Sequence, residues 1–204
     1  MSDGWVAACL VPVAYLLGTF PSAALVARRR GVDVTKAGSG NPGASNAFRL
    51  LGWRAGVLVF ALDFAKGALA AGVGLLVADH LGAYLLGTAA IVGHMLPATR
   101  RFKGGRGVAT GAGVLVVIFP LLTLAMAAAW FAVVRVSHKA SLASLAVAVA
   151  FPVSVALAGH PASDVAVISA LAGLVIVRHL SNVRRLVRGE EPDLGAGSGE
   201  RGAA

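Results

Sequence analysis

Long apolar runs alternate along the chain with short polar, basic stretches. The first run covers residues 4–27, and others cover about 55–77, 82–98, 141–158 and 163–177. Each approaches the ~20 residues an α-helix needs to cross a bilayer. The second and third are separated by Ala78-Asp79-His80, the last two by Gly159-His160-Pro161. Between Arg106 and Arg135 lies one apolar run, residues 107–134, with Pro120 near its middle. At about 1.5 Å per residue it reaches about 42 Å. It forms either one long tilted helix or two short ones meeting at Pro120.

Composition sharpens this pattern. Of 204 residues, 57% are hydrophobic and 13% charged, and mean hydropathy is +0.80. Soluble domains carry about twice that share of charge. The fold class is therefore all-α, a polytopic bundle of membrane helices. No Lys or Arg precedes the first run, which is too long for a signal-peptide core and reads as a retained transmembrane helix. Cys9 sits inside it, so no disulfide framework or thiolate metal cluster is available, and it reads as a buried packing residue. Residues 1–191 read as a single transmembrane domain, and 192–204, PDLGAGSGERGAA, as a disordered tail.

The net charge of +9 is clustered. One block holds Arg28, Arg29, Arg30, Lys36, Arg49 and Arg54; the next Arg100, Arg101, Lys103 and Arg106; then Arg135 and Lys139; then Arg178, Arg184, Arg185 and Arg188. If all lie on the cytoplasmic side, an even number of crossings separates each pair. Parity favours two short helices at Pro120. The expected total is seven, with the N-terminus outside and the C-terminus cytoplasmic. Asp79 and Asp164 then lie in outer turns that lack Lys and Arg.

The loops carry the candidate chemistry. Residues 36–49, KAGSGNPGASNAFR, place Gly38, Gly40 and Gly43 in a G-x-G-x-x-G spacing. A dinucleotide fingerprint needs a preceding strand within a βαβ unit, and here the motif follows a membrane helix. The glycines read instead as an anion-binding nest of backbone N–H groups. Ser39, Asn41, Ser45 and Asn46 add side-chain donors, and Arg49 suits a bidentate grip on phosphate. Residues 102–113, FKGGRGVATGAG, repeat the logic with Gly104, Gly105 and Gly107 between Lys103 and Arg106, and with Thr110 at the start of the next helix. Two anion cradles on one face imply two phosphate groups held together, at least one of them on a lipidic substrate. Asp63 and Lys66, at i,i+3 inside an apolar span, are expected to pair. His94 is either a loop brace or part of a site lining. His179 and Asn182 share a helix face at i,i+3.

Three stretches, GSGNPGASNAFR, GHMLPATRRFKGGRGVATGAG and RHLSNVRRLVRGEEP, resemble the signatures of the bacterial acyl-phosphate:glycerol-3-phosphate acyltransferases, the PlsY family. LDFAKG at 62–67 fits as well. The resemblance implies an enzyme of the bacterial inner membrane with its site facing the cytoplasm. It transfers an acyl group from acyl-phosphate to glycerol 3-phosphate, giving 1-acyl-glycerol 3-phosphate. It implies substrate-binding roles for Ser39, Asn41, Asn46, Gly104, Gly105, Gly107, Thr110 and Ser141. Arg49, Lys103, His179 and Asn182 take catalytic roles, with Asp63, Lys66 and Glu191 structural. The family commonly has Thr at the position of Ser45 and often Lys at that of Arg106. Ser137-His138-Lys139 replaces a stretch that more often begins Thr-Arg, which leaves no family role for His138.

An acyl phosphate is already activated, so no cofactor or metal is called for, and the partners are the two substrates and membrane lipid, with no nucleic acid. No heptad marks a dimer face, and the chain reads as a monomer. His179 is either the base that takes the hydroxyl proton or a positioning group. The competing function is a transporter of an organic phosphate, which needs a polar path across the bilayer.

Overall fold

The structure is a computed structural model that describes residues 3–195, the side chain of Asp3 excepted. Among the described residues there are nine α-helices, one 3₁₀ turn and no strands. The helices are α1 (Asp3–Gly18), α2 (Ser22–Arg28), α3 (Ala44–Leu51), α4 (Trp53–Met95), α5 (Val108–Ile118), α6 (Pro120–Ser137), α7 (Ala140–Leu157), α8 (Ala162–Arg178) and α9 (Leu180–Val187), with the 3₁₀ turn at Ala98–Arg100. The chain divides into two compact units, one built on Met1–Ile118 and the other on Phe119–Leu194. A single domain was expected from the sequence.

Proline decides where the apolar runs break. The first run is two helices, not one, because Pro21 has no N–H to continue the ladder. Pro120 occupies the first turn of α6, and Phe119 before it has non-helical backbone (φ −132°, ψ 67°). The run from 107 to 134 is therefore two helices. Pro12 and Pro152 lie inside α1 and α7 without ending them, as membrane helices tolerate. α4 breaks at Ala78 (φ −151°, ψ 42°) and Asp79 (φ 48°, ψ −145°). There the chain doubles back, for a Cβ on Gly74 would lie 2.1 Å from the carbonyl oxygen of Gly82.

By length and composition, four segments can cross a membrane: Gly4–Arg28, Trp53–Arg100, Pro120–Ser137 and Ala140–Leu157. A fifth arises if Ala162–Arg178 and Leu180–Val187, bent by 57°, form one span. Two features separate this from the expected seven. The 48-residue segment contains the α4 reversal, and the eleven residues of α5 reach only about 16 Å.

The first unit is packed on small residues. Buried Ala14, Ala70 and Ala90 surround Leu86. A Cβ on Gly18 would lie 2.2 Å from the Ala90 carbonyl oxygen, on Gly93 2.1 Å from that of Tyr15, and on Gly67 2.0 Å from that of Thr110. Such contacts let helices approach without the water-driven burial that holds soluble cores. The outward faces are apolar: Leu76 is 89% exposed and Val136 84%. Cys9 is also exposed on α1, contrary to the buried role expected of it. In the second unit α7 packs against α6 and α8. Trp130 Nε1 donates to Ser144 Oγ at 3.0 Å, and the Phe119 ring meets the edge of His160 at 4.8 Å between centroids.

Candidate functional site

The singled-out side chains fall into two groups, one within each unit. In the first, the break before α2 leaves two carbonyls outside the helical ladder, and cations take them. Arg100 Nη2 donates to Thr19 O at 3.2 Å, and Lys66 Nζ to Phe20 O at 3.3 Å. Lys66 Nζ also lies 2.8 Å from Asp63 Oδ1, both side chains being only 3% exposed, and 2.8 Å from His94 Nδ1. Ser22 Oγ donates to the same Asp63 oxygen at 2.8 Å. An ammonium can only donate, so a charged Lys66 makes His94 Nδ1 the acceptor of this contact. The pair predicted from i,i+3 spacing is thus part of a larger buried cluster that ties both arms of α4 to the start of α2. Ser22 was not foreseen, since 41 residues separate it from Asp63.

In both glycine motifs several amides are bonded within the chain. In the first, Ser39 N donates to Asn46 Oδ1 at 2.9 Å, Gly40 N to Ala37 O at 3.1 Å, and Gly43 N to Asn41 O at 2.9 Å. Asn46, expected to bind substrate, donates through Nδ2 to Val34 O at 3.0 Å and Ala37 O at 3.1 Å. Its side chain knits the loop. In the second motif Lys103 N donates to Arg100 O at 3.0 Å and Gly105 N to His94 O at 3.1 Å. Here the glycines permit close approach. A Cβ on Gly104 would lie 2.1 Å from His94 O, on Gly105 2.1 Å from His94 Nε2, and on Gly107 2.1 Å from Met95 Cε. Glycine in a loop signals either open donors or crowding, and only the positions of the neighbours distinguish them.

Several side chains are also placed for anion contact. Arg49, on α3, is 7% exposed. Lys103 is exposed and Asn41 half-buried. Ser39 Oγ and Thr110 Oγ1 are buried hydroxyls without a hydrogen-bond partner in the structure; one belongs to each motif. Thr110 sits in the first turn of α5.

In the second unit, His179 joins α8 to α9 and is 2% exposed. Its Nδ1 lies 2.8 Å from Val175 O, so Nδ1 carries the proton and Nε2 is the accepting nitrogen. Asn182, one turn on, is fully buried and donates through Nδ2 to Glu191 Oε1 at 2.6 Å. Arg185 Nε donates to Glu191 Oε2 at 2.7 Å. Ser141 lies buried on α7; its Oγ has no partner at bonding geometry, but its dipole favours the charged carboxyl. Burial pushes the Glu191 carboxyl up. Ser141, Asn182 and Arg185, the last also by charge, together outweigh that and hold it below the ordinary glutamate range.

The residues past Pro192, expected to be disordered, begin with an ordered stretch. Asp193 Oδ1 accepts Lys139 Nζ at 2.9 Å, and Leu194 N donates to His138 O at 2.8 Å. The rest of the expected tail, 196–204, lies outside the described residues. Composition hid Asp193 and Leu194 because their partners lie more than fifty residues away.

The all-helical fold of the described residues, with four segments long and apolar enough to cross a bilayer, is of the class of polytopic membrane proteins. Comparison with known proteins narrows it. The profile of the glycerol-3-phosphate acyltransferase family matches residues 8–189. The chain is 37% identical over 188 residues to the glycerol-3-phosphate acyltransferase of Bacillus velezensis, covering 92% of this chain and 97% of that one. It is 40% identical over 198 residues to that of Rubrobacter xylanophilus, covering 95% and 98%. Two crystal structures of PlsY, an integral membrane glycerol 3-phosphate acyltransferase, align at 36% identity. The glycerol 3-phosphate form gives a TM-score of 0.88 over 93% of this chain and 96% of PlsY. The lysophosphatidic acid form gives 0.85 over 94% and 96%. The chain belongs to the glycerol-3-phosphate acyltransferase family. It is an acyltransferase of lipid biosynthesis and an integral membrane protein.

Proposed function

We propose that the chain acylates glycerol 3-phosphate with an acyl-phosphate donor, giving 1-acyl-glycerol 3-phosphate and phosphate. The observation that carries this is the likeness, along nearly the whole chain, to a protein crystallised in a glycerol 3-phosphate form. The partnerless hydroxyls of Ser39 and Thr110 support it, because each lies in one of the two motifs and leaves a buried group that a ligand can satisfy.

The hydroxyl oxygen of glycerol 3-phosphate attacks the acyl carbonyl carbon. The new C–O ester bond forms, the bond from carbonyl carbon to phosphate oxygen breaks, and the hydroxyl proton ends on the departing phosphate. The two substrates bring about four negative charges at neutral pH. Their repulsion is the main obstacle, and Arg49 and Lys103 offset it. Catalysis is then mostly positioning and preorganised charge. His179 orients the hydroxyl through Nε2, Nδ1 being held by Val175. Asn41 contributes a further donor. Seven crossings, with the N-terminus outside and the site at the cytoplasmic face of the inner membrane, put the cationic blocks where positive charge is retained. One chain is the working unit.

The test is purified protein in liposomes with palmitoyl phosphate and glycerol 3-phosphate. Lysophosphatidic acid and free phosphate should appear in equal amounts. Uptake of glycerol 3-phosphate without donor, and no ester product, would overturn the proposal in favour of a transporter. His179→Gln should keep most activity. A loss of several orders of magnitude would make His179 the base instead.

A further inference from the structure

After α9 the chain turns back at Gly189 (φ 70°) and is tied to the turn between α6 and α7. Glu190 N donates to Arg185 O at 2.8 Å. Lys139 Nζ then grips the strap twice, through Glu191 O at 2.7 Å and Asp193 Oδ1 at 2.9 Å. Leu194 N closes it on His138 O at 2.8 Å. His138 holds a left-handed backbone (φ 57°) as the C-cap of α6.

We propose that this strap, residues 189–194, is a latch that positions Asn182, with Lys139 as its fastening residue. The inference rests on the reading above that Asn182 and His179 handle substrate. Glu191 spans one face of α9: its two oxygens take Asn182 Nδ2 and Arg185 Nε, three residues apart. A carboxylate only accepts, so the Asn182 amide must turn Nδ2 toward it. Asn182 Oδ1 is then turned away, and it is a buried acceptor with no partner in the structure. A substrate hydroxyl or a protonated phosphate oxygen is the complementary donor. The Glu191 side chain is 2% exposed, and the strap keeps it so. Lys139 bonds to Asp193 and to the Glu191 carbonyl. Lys139 and Asp193 are positioning residues, acting through the Glu191 backbone. The Lys139–Asp193 pair is itself half open to solvent, with side chains 28% and 53% exposed. An exposed pair contributes little alone, so the bond to the Glu191 carbonyl is the decisive one.

The experiment uses the full chain in liposomes, with a Leu194→Cys probe in a Cys9→Ser background. Lys139→Met should lower kcat about tenfold, the scale of one charge-assisted hydrogen bond. KM for glycerol 3-phosphate should stay within about twofold, as for an interaction that orients rather than binds. Maleimide labelling at position 194 should quicken several-fold. Lys139→Arg should restore most of kcat and slow the labelling again. Faster labelling with unchanged kcat would overturn the latch, and so would a fall in kcat with unchanged labelling. If the unmodified chain forms no ester at all, the acyl-transfer reading fails, while the labelling contrast still decides whether Lys139 fastens the strap.

Discussion

Lys66→Met is the most informative single change in the first unit. It leaves the shape of the side chain nearly intact and strands Asp63. At 2.8 Å and an effective dielectric of about 20, the gross attraction of the two charges is about 6 kcal/mol. Desolvating two ions costs several kcal/mol each, so the intact pair contributes close to nothing net. Breaking it is different, because Asp63 would keep only Ser22 Oγ, and His94 at 3.6 Å. The expected loss is about 3–5 kcal/mol. Asp63→Leu alone should cost a similar amount by stranding Lys66, although Phe20 O still accepts one of its hydrogens. The double variant should lie closer to the parent chain than either single one. SDS-induced unfolding in mixed micelles gives all four corners of the cycle. If the double variant is as unstable as the sum of the singles, the two side chains do not form one buried unit and the cluster described here is wrong.

Three further outcomes follow from the geometry. Asn46→Leu removes the bonds to Ser39 N, Val34 O and Ala37 O; at about 0.5–1.5 kcal/mol each, it should destabilise by about 2–4 kcal/mol and make residues 34–46 the first site of proteolytic nicking. Gly67→Ala should destabilise by about 1–3 kcal/mol, since the new Cβ would lie 2.0 Å from Thr110 O. On the same helix arm Gly72→Ala meets nothing within 4 Å and should gain up to about 1 kcal/mol; equal midpoints for the two would refute the packing. Glu191 titrates below its ordinary value of 4.5 in the folded chain, so its contribution is complete above that pH and is lost as pH falls through the lowered value. Unfolding midpoints should therefore drop on acidification, and Glu191→Gln should flatten that drop.

What the sequence made legible follows from the range of each signal. Helix breaks at Pro120 and Gly159-His160-Pro161 were visible because they are local, as was the i,i+3 spacing of Asp63 and Lys66. Pro21 was equally local, but hydropathy alone read through it and gave one helix where there are two. Distant partners were not visible. Ser22 reaches Asp63, Tyr15 Oη donates to Leu96 O across 81 residues, and Lys139 reaches the strap; no periodicity encodes such pairs. The division into two compact units was not visible either, since hydropathy marks apolar segments without saying which pack together.

The glycine motifs show where composition leaves two readings open even at close range. A Gly-rich loop beside cations has two physical explanations, open amides or a crowded backbone, and the same letters serve both. The amides of Ser39, Gly40, Gly43 and Gly105 all point into the chain, so the glycines shape the loops without themselves presenting these N–H groups to an anion. On the proposed function, the side chains of Arg49 and Lys103 contribute to neutralising the substrates, with the hydroxyls of Ser39 and Thr110. Long flexible cations are less preorganised than a backbone nest and lose more rotamer freedom when they bind. That loss is smallest for Arg49, whose side chain is already buried at the end of α3, and largest for exposed Lys103. On the proposed function, Arg49 is the more preorganised of the two cations, and Lys103 is the one that substrate must order.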